Sequence, residues 1–373
     1  MSPLTVALYL ADQNPDRDRS LGITRVSQSV ARLIQDDVEL TQVVSASSAR
    51  LPEGVARHTR ALPFSTAGGL GRMAGDVLHP ALVRPDVDVW FYPKGYVTSP
   101  LPVSAPTLAL VHDTILDHYA RCYPTDRSRL AYTFWLGQLR ATLRRATRVA
   151  TISQTAEQQI RAFCDQSGIE PPPIDVVFST TSFERTVPVR GEASYALHLA
   201  STAPHKQTAW LVDAWAALTE AGHDLPPLWV VGRLPAEAEA TFATLPHARN
   251  HGRVSDDALV TLYREAAVVV VPSEIEGFGL PILEAYASGT PVVFTARTAM
   301  DEVAAVATDV GGFWLDAPDT LADALDAALG LTDDAITDIQ DRLLDAFSPP
   351  QLRKRVLASL AATAGRTPTA ASA

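Results

Sequence analysis

One stretch of this chain sets carboxylates and glycines at a spacing suited to hydroxyl and phosphate recognition together. Residues 268–294, VVVVPSEIEGFGLPILEAYASGTPVVF, open on an apolar run without polar alternation, the pattern of a parallel strand covered on both faces. Pro272 stops the run. A loop with Glu274, Glu276, Gly277 and Gly279 follows, and Pro281 stands where the first turn of a helix tolerates a missing N–H. Gly289 and Pro291 close that helix and Val292 begins the next strand, which places the glycine loop at the carboxyl end of a strand with a helix N-terminus beyond it. Unpaired N–H groups and the positive end of the helix dipole make such a place an anion site. Carboxylates do not bind phosphate, so Glu276 and Glu284 are candidates for accepting hydrogen bonds from sugar hydroxyls while the glycine amides take the phosphates. A solvated surface acid is the plain alternative for either. Glu284 stands among Leu280, Ile282, Leu283, Ala285, Tyr286 and Ala287, where an ionised acid calls for a partner or a ligand.

Other candidates lie along the chain. The apolar run Thr107 to Val111 ends in His112-Asp113, at the strand edge where α/β sites form, and Asp113 is placed either to orient the imidazole or to cap the next helix. Lys206 follows another apolar run, with His205 beside it and Arg233 after a third. Asp16-Arg17-Asp18 and Asp86-Val87-Asp88 have the spacing of a divalent-metal site, but the first sits in a soft loop and the second leads into a strand, so both read as solvated acids. Gly69, Gly71 and Gly75 imitate a dinucleotide fingerprint without a preceding apolar strand and read as a flexible loop. Residues 121–148 carry seven arginines and one acid among aromatic and leucine side chains. Such a basic aromatic helix suits an anionic membrane surface or an anionic acceptor, or packs as an ordinary helix with an arginine face.

The string EGFGLPILEAYASGTPVV resembles the retaining glycosyltransferases of the GT-B fold, in the family 4 group, and the likeness extends through VVGRL (231–235) and 251–273. It covers the C-terminal half well and the N-terminal half thinly. The resemblance implies an α/β fold of two Rossmann-like doubly wound domains facing across a cleft that closes over the donor. It implies a nucleotide diphosphate sugar as donor, a glycan, lipid-linked or other hydroxyl acceptor, and no cofactor; no required metal is expected. Glu276, Lys206 and His112 would be catalytic, with His112 facing the donor sugar and Lys206 holding phosphate. Glu284 would take the ribose, with Gly277, Phe278, Gly279 and Leu280 at the diphosphate, Val254 and Leu259 beside the base, and Gly22 in an acceptor-side loop. The family often has a Gly-Arg pair ahead of its lysine; here Ala200-Ser201 stands instead, leaving His205 or Arg233 as the second cation. A nucleotide-sugar epimerase of the same architecture and a non-catalytic nucleotide-sugar-binding partner subunit are the alternatives.

The elements that must position these residues read as βαβ throughout. Leu4–Leu10, a helix with Ile23, Val26, Val30 and Leu33, and a strand near Leu40–Ser45 open a parallel sheet. Domains are expected over 1–185 and 186–347, with a hinge in Thr180–Ser194 and a basic C-terminal helix in 348–373 crossing back to the first domain. The chain of 373 residues suits two such domains. It has no run of apolar residues long enough to span a bilayer and no leader pattern at its start, so a cytoplasmic location is expected, at most peripheral to a membrane. Cys122 and Cys164 are too few for a disulfide framework. The formal charge of −11 disfavours nucleic acid as a partner.

Overall fold

In a computed structural model, which describes residues 2–14, 21–188 and 195–367, the chain forms two compact units. Met1–Phe178 with Pro349–Ala373 makes the first and Ser179–Ser348 the second. Asp16 and Asp18 lie outside the described residues, as does part of the expected hinge.

The first unit runs β1 (Leu4–Tyr9), α1 (Leu21–Ile34), β2 (Val38–Val44), β3 (His58–Ala61), α2 (Gly69–Leu82), β4 (Val89–Tyr92) and β5 (Thr107–Leu110). It continues through α3 (Ile115–Cys122), α4 (Arg129–Arg145), β6 (Arg148–Thr151), α5 (Gln154–Ser167) and β7 (Ile174–Val176). The strands form a parallel sheet in the order β3-β2-β1-β4-β5-β6-β7. Its central strands are buried on both faces, which is why β1 and β4 read as unbroken apolar runs. Strand β1 is the switch point: the chain winds one way to β2 and the other to β4, and the loops after β1 and β4 diverge there.

Four expectations are corrected in this unit. Gly69, Gly71 and Gly75 stand in a helix, α2, because the small residues admit close packing: a Cβ on Gly75 would lie 3.0 Å from Thr66 Cγ2 and 3.2 Å from Leu62 Cδ1. Residues 121–148 are not one helix; α3 ends at Cys122, and Ser128 starts α4 by accepting a hydrogen bond from the Ala131 amide at 3.2 Å. Asp88 is no solvated acid, since one carboxylate oxygen accepts from the Thr5 amide and hydroxyl at 2.9 Å and the other pairs with Arg366 at 2.8 Å. Gly22, expected in a loop, falls in the first turn of α1.

The second unit runs β8 (Ala196–Ala200), α6 (Thr208–Glu220), β9 (Leu228–Gly232), α7 (Ala236–Phe242), β10 (Arg249–Asn250), α8 (Asp256–Glu265) and β11 (Val268–Val271). Then come α9 (Leu280–Ala287), β12 (Val292–Thr295), α10 (Ala299–Ala304), β13 (Gly312–Phe313), α11 (Asp319–Leu329) and α12 (Asp333–Ala346). Its parallel sheet has the order β10-β9-β8-β11-β12-β13, so the switch point lies between β8 and β11. Buried Gln340 of α12 donates from one amide nitrogen to the carbonyls of Thr186, Tyr286 and Ala287, tying the end of α9 to the segment before β8.

The last helix, α13 (Pro349–Thr363), belongs to the first unit. Leu352, Val356, Leu357 and Leu360 enter the core that holds Val6, Leu8, Val30 and Ile34. Arg353 forms a two-pronged pair with Asp37, and Ser359 donates to Asp175 at 2.7 Å.

Candidate functional site

The strongest cluster sits at the switch point of the second unit. Strand β8 ends at Ala200 and a 3-10 turn, Pro204–Lys206, precedes α6; strand β11 ends at Val271 and its loop leads to α9. Because β8 and β11 are neighbours in the sheet, the two loops meet. They are fastened at three points. Lys206 Nζ donates to Glu276 Oε1 at 2.5 Å, the Gln207 side-chain amide donates to Glu274 Oε2 at 2.9 Å, and the Glu274 amide donates to the His205 carbonyl at 2.9 Å. Gln207 takes a left-handed conformation (φ 52°) to turn the chain from the 3-10 turn into α6.

The Glu276 side chain is 12% exposed and that of Lys206 30%. Burial pushes the Glu276 carboxyl up, but the Lys206 ammonium, its hydrogen bond, a further bond from Ser273 and the nearby His205 outweigh it and hold the carboxyl below its usual range. An ionised acceptor and a cation therefore stand side by side at the carboxyl edge of the sheet. Beneath them lies His198, which sequence reading passed over. Its Nδ1–H donates to the Val270 carbonyl at 3.0 Å, and Nε2 accepts from the Thr208 hydroxyl at 2.9 Å. Burial lowers this imidazole to about 4, against the Val270 bond and with help from Lys206, so it is a neutral strut between β8, β11 and α6.

Helix α9 begins beyond the loop. Gly279 has φ +111°, and an added Cβ would fall 2.9 Å from Met300 Cγ, so the residue before the helix must be glycine-like. Phe278 is buried edge-on against Phe347, with centroids 5.2 Å apart; its side chain anchors the loop in the core, and only its backbone can face a ligand. Leu280 opens the helix. Glu284, one turn on, has the partner its apolar setting demanded: the Tyr263 hydroxyl of α8 donates to Oε2 at 3.0 Å. Burial, the Glu284 charge and that bond push the Tyr263 phenol far above its ordinary value, so it is a fixed donor. Tyr263, in turn braced edge-on by Phe183, could be found only by knowing that α8 packs on α9.

The remaining candidates of this unit line the same edge. Gly232 (φ +116°) brings the end of β9 so close to β8 that a Cβ would sit 2.2 Å from the Ala200 carbonyl oxygen, and exposed Arg233 follows it. Val254 is half-buried just before α8, whose N-cap is Ser255, and Leu259 is half-buried on that helix. Among the described residues no three His, Cys, Asp or Glu side chains gather as a metal site would require, and no helix is long and apolar enough to cross a membrane.

The first unit has its own edge cluster. His112 follows β5, and its Nε2–H donates to the Pro93 carbonyl at 2.9 Å; burial depresses the ring against the pull of Asp113, so it is neutral. Asp113, one residue before the Thr114 N-cap of α3, accepts from the Ile115 amide at 3.0 Å. His112 lines a cavity of about 90 Å³ with Lys94, Tyr96, Asp113 and Trp135. Lys94, unremarked in the sequence, donates to the Asp12 carbonyl at 2.6 Å and lies 3.9 Å from its carboxylate. Burial raises the Asp12 carboxyl in spite of Lys94. It likewise raises neighbouring Asp76 to about 7, with Asp12 adding to the shift.

Comparison with known proteins bears on the family and the fold. Residues 194–331 match the family described as glycosyl transferases group 1. The chain is 35% identical over 115 residues to an O-antigen chain mannosyltransferase B of Escherichia coli, a match covering 29% of this chain and 30% of that protein. It is 29% identical over 197 residues to a D-inositol 3-phosphate glycosyltransferase of Corynebacterium glutamicum, covering 46% and 47%. The chain thus spans about half or less of the length of these curated relatives. Among solved structures it superposes on a sucrose-phosphate synthase from Thermosynechococcus elongatus with a TM-score of 0.65 at 17% identity, over 97% of this chain and 96% of that one. It superposes on Anabaena HepE in complex with UDP and glucose with a TM-score of 0.68 at 18% identity, over 96% and 100%. Through residues 194–331 the chain is similar to the glycosyl transferases group 1 family, and its two Rossmann-like units have the GT-B fold.

Proposed function

We propose that the protein is a retaining glycosyltransferase, moving a sugar from a nucleotide diphosphate sugar to an acceptor hydroxyl in bacterial polysaccharide, glycolipid or glycoconjugate assembly. The observation that carries this reading is the Lys206–Glu276 pair, set at the switch point of the second unit between β8, β11 and the start of α9. The E. coli relative, by its description an O-antigen mannosyltransferase, and the UDP-bound HepE neighbour support it.

In this reading departure of the nucleoside diphosphate is the difficult step. Lys206 and the amides at the start of α9 receive the charge that grows on the leaving oxygens, and one preorganised donor of this kind contributes about 3–4 kcal/mol. Glu276 accepts hydrogen bonds from the hydroxyls of the transferred sugar. Glu284, already oriented by Tyr263, accepts from the ribose. His112 is assigned to the donor sugar, as a neutral ring fixed by the Pro93 carbonyl. Retention follows from attack on the same face that the diphosphate leaves, the acceptor proton passing to a departing phosphate oxygen, so no protein nucleophile is called for. The cations already present make a metal unnecessary. A cytoplasmic location, with peripheral membrane contact, belongs to the same proposal.

The test is a thermal-shift screen against nucleotide sugars, followed by transfer and donor-hydrolysis assays with mixed acceptors using the nucleotide sugar that binds. Stabilisation by a nucleotide sugar together with turnover is the expected result. Binding with neither transfer nor hydrolysis would favour a non-catalytic partner subunit.

A further inference from the structure

Five of the eight large apolar side chains that stand exposed among the described residues lie on one helix. Leu70 of α2 is 85% exposed, and Met73, Val77, Leu78 and Leu82 are between 37% and 48% exposed. With Ala74 and Ala81 they occupy about half of the helix circumference. The opposite side of α2, through Gly75, His79 and Pro80, is the one that packs on the sheet. Leu130, at the start of α4, is 83% exposed, and α4 lies beside α2, with the Arg72 guanidinium over the Trp135 ring at 5.5 Å. A contiguous apolar face of this kind is uncommon on a soluble surface without a partner.

The charge around it points to the partner. Between Glu53 and Asp86 the only acid is Asp76, which is turned inward to accept from the Tyr9 hydroxyl at 3.2 Å. No acid occurs from Arg127 to Gln154. Arg60, Arg84 and Arg129 are exposed along these segments, beside half-buried Arg72 and Arg127. The first unit as a whole holds 22 Lys and Arg against 17 Asp and Glu, a net charge of +5, while the second holds 9 against 25, a net charge of −16. The exposed apolar helix thus belongs to the basic unit of an acidic protein.

We propose that the exposed face of α2, with exposed Leu130 of neighbouring α4 and the exposed arginines Arg60, Arg84 and Arg129 of the same unit, docks the protein on an anionic lipid bilayer. Leucine, methionine and valine would enter the boundary between headgroups and acyl chains while the guanidinium groups remain at the phosphates. A second copy of the chain is a poorer occupant, since a two-fold contact through this face would set two basic rims against each other. The inference centres lipid contact on α2, which supplies five of the six exposed apolar side chains, and keeps of residues 121–148 only Arg129 and Leu130, since Arg127 lies over Tyr119 and Arg140 over Phe163. It does not depend on sugar transfer, because nucleotide binding by the second unit and lipid binding by the first are measured separately.

The experiment is co-sedimentation of the full chain with vesicles of phosphatidylcholine alone and of phosphatidylcholine with phosphatidylglycerol. Binding to the anionic vesicles is expected, at least about tenfold tighter than to neutral ones and weakened by added salt. The variant Leu70→Ser/Met73→Ser/Val77→Ser should lose at least about tenfold in partition, since it removes three side chains from the apolar face. Its thermal unfolding and nucleoside diphosphate binding should match wild type, because these side chains are exposed. Leu130→Ser is a second, milder variant that should fall between the two. Failure of wild type to sediment with anionic vesicles, or equal sedimentation of the triple variant, would overturn the proposal. So would a concentration-dependent dimer that the triple variant abolishes, without vesicle binding, which would assign the face to self-association.

Discussion

Replacing Lys206 by alanine should cost stability and turnover by two separable routes. The structural route is worked from burial. Glu276 is 12% exposed, and without its 2.5 Å partner it becomes a carboxylate that burial penalises, with only the Ser273 bond and nearby His205 to offset it. Breaking a buried pair costs about 3–5 kcal/mol; Lys206 is itself 30% exposed, so the value is discounted for solvent to about 2–3 kcal/mol. The pH dependence carries a sign. In wild type the folded carboxyl lies below its unfolded value, so its contribution is present above the unfolded pKa and lost as pH falls through the folded one. In Lys206→Ala burial dominates and the folded pKa rises above the unfolded one, so the deficit relative to wild type should shrink as pH falls from 7 to 5. The catalytic route is loss of the charge facing the leaving diphosphate, a fall in kcat of about 10²–10³. Urea unfolding and steady-state transfer assays on wild type, Lys206→Ala and Lys206→Met/Glu276→Gln separate the two. The double variant strands no charge and should regain stability to within about 1 kcal/mol of wild type, while turnover stays low. A double variant as unstable as the single one would refute the pairing argument; a single variant of normal turnover would refute the role at the diphosphate.

Three further outcomes are expected. Transfer should persist in excess chelator; loss in EDTA with recovery on adding Mg²⁺ or Mn²⁺ would overturn the metal-free proposal. Glu284→Ala should weaken nucleoside diphosphate binding by about 1.5–3 kcal/mol, and Tyr263→Phe, which leaves the carboxylate but not its orientation, by about 1 kcal/mol or less, both read by calorimetry. Glu276→Ala should spare that affinity and slow transfer, so equal losses in all three would show the roles are misassigned. His198 and His79 are held near 4 by burial, against about 6.5 when free. A depressed histidine takes up its proton first in the unfolded chain, so stability should be full above about pH 6.5 and fall toward pH 4 by up to about 1.4 kcal/mol per unit for each ring. Imidazole resonances that titrate near pH 6.5 in the native protein would contradict this.

The sequence was most legible where strands are buried on both faces. The runs that became β1, β11 and β12 carry a continuous apolar signal because no side of them meets solvent. Strand β3 has all four residues exposed at the edge of its sheet, β10 is two exposed residues, and α5 is largely polar, so none of these announced itself. Helix α2 was hidden by its own packing: the glycines and Pro80 that admit close approach are the residues that read as a loop. At the site, the types of Lys206, Glu276 and Glu284 were readable from the glycine-loop motif and its resemblance. Their partners were not. Lys206 meets Glu276 across 70 residues only because β8 adjoins β11, and Tyr263 meets Glu284 only because α8 lies on α9. Such pairs are properties of strand order and helix packing, which local patterns do not encode.

The placement of α13 bears on how the protein is made. Its four core leucine and valine side chains complete the first unit, yet all of Ser179–Ser348 is translated between β7 and this helix. The second unit is a continuous segment and holds everything its core requires before Pro349 is added. A ribosome releasing the chain from its N-terminus therefore presents an unfinished first sheet for the whole time the second is being synthesised, with the surface under α13 and the Asp37 carboxylate uncovered. The unit translated later can close earlier. Ribosome-stalled chains ending just before Pro349 should accordingly resist protease in Ser179–Ser348 while remaining open in Met1–Phe178, and chaperone dependence should concentrate on the half that emerged first.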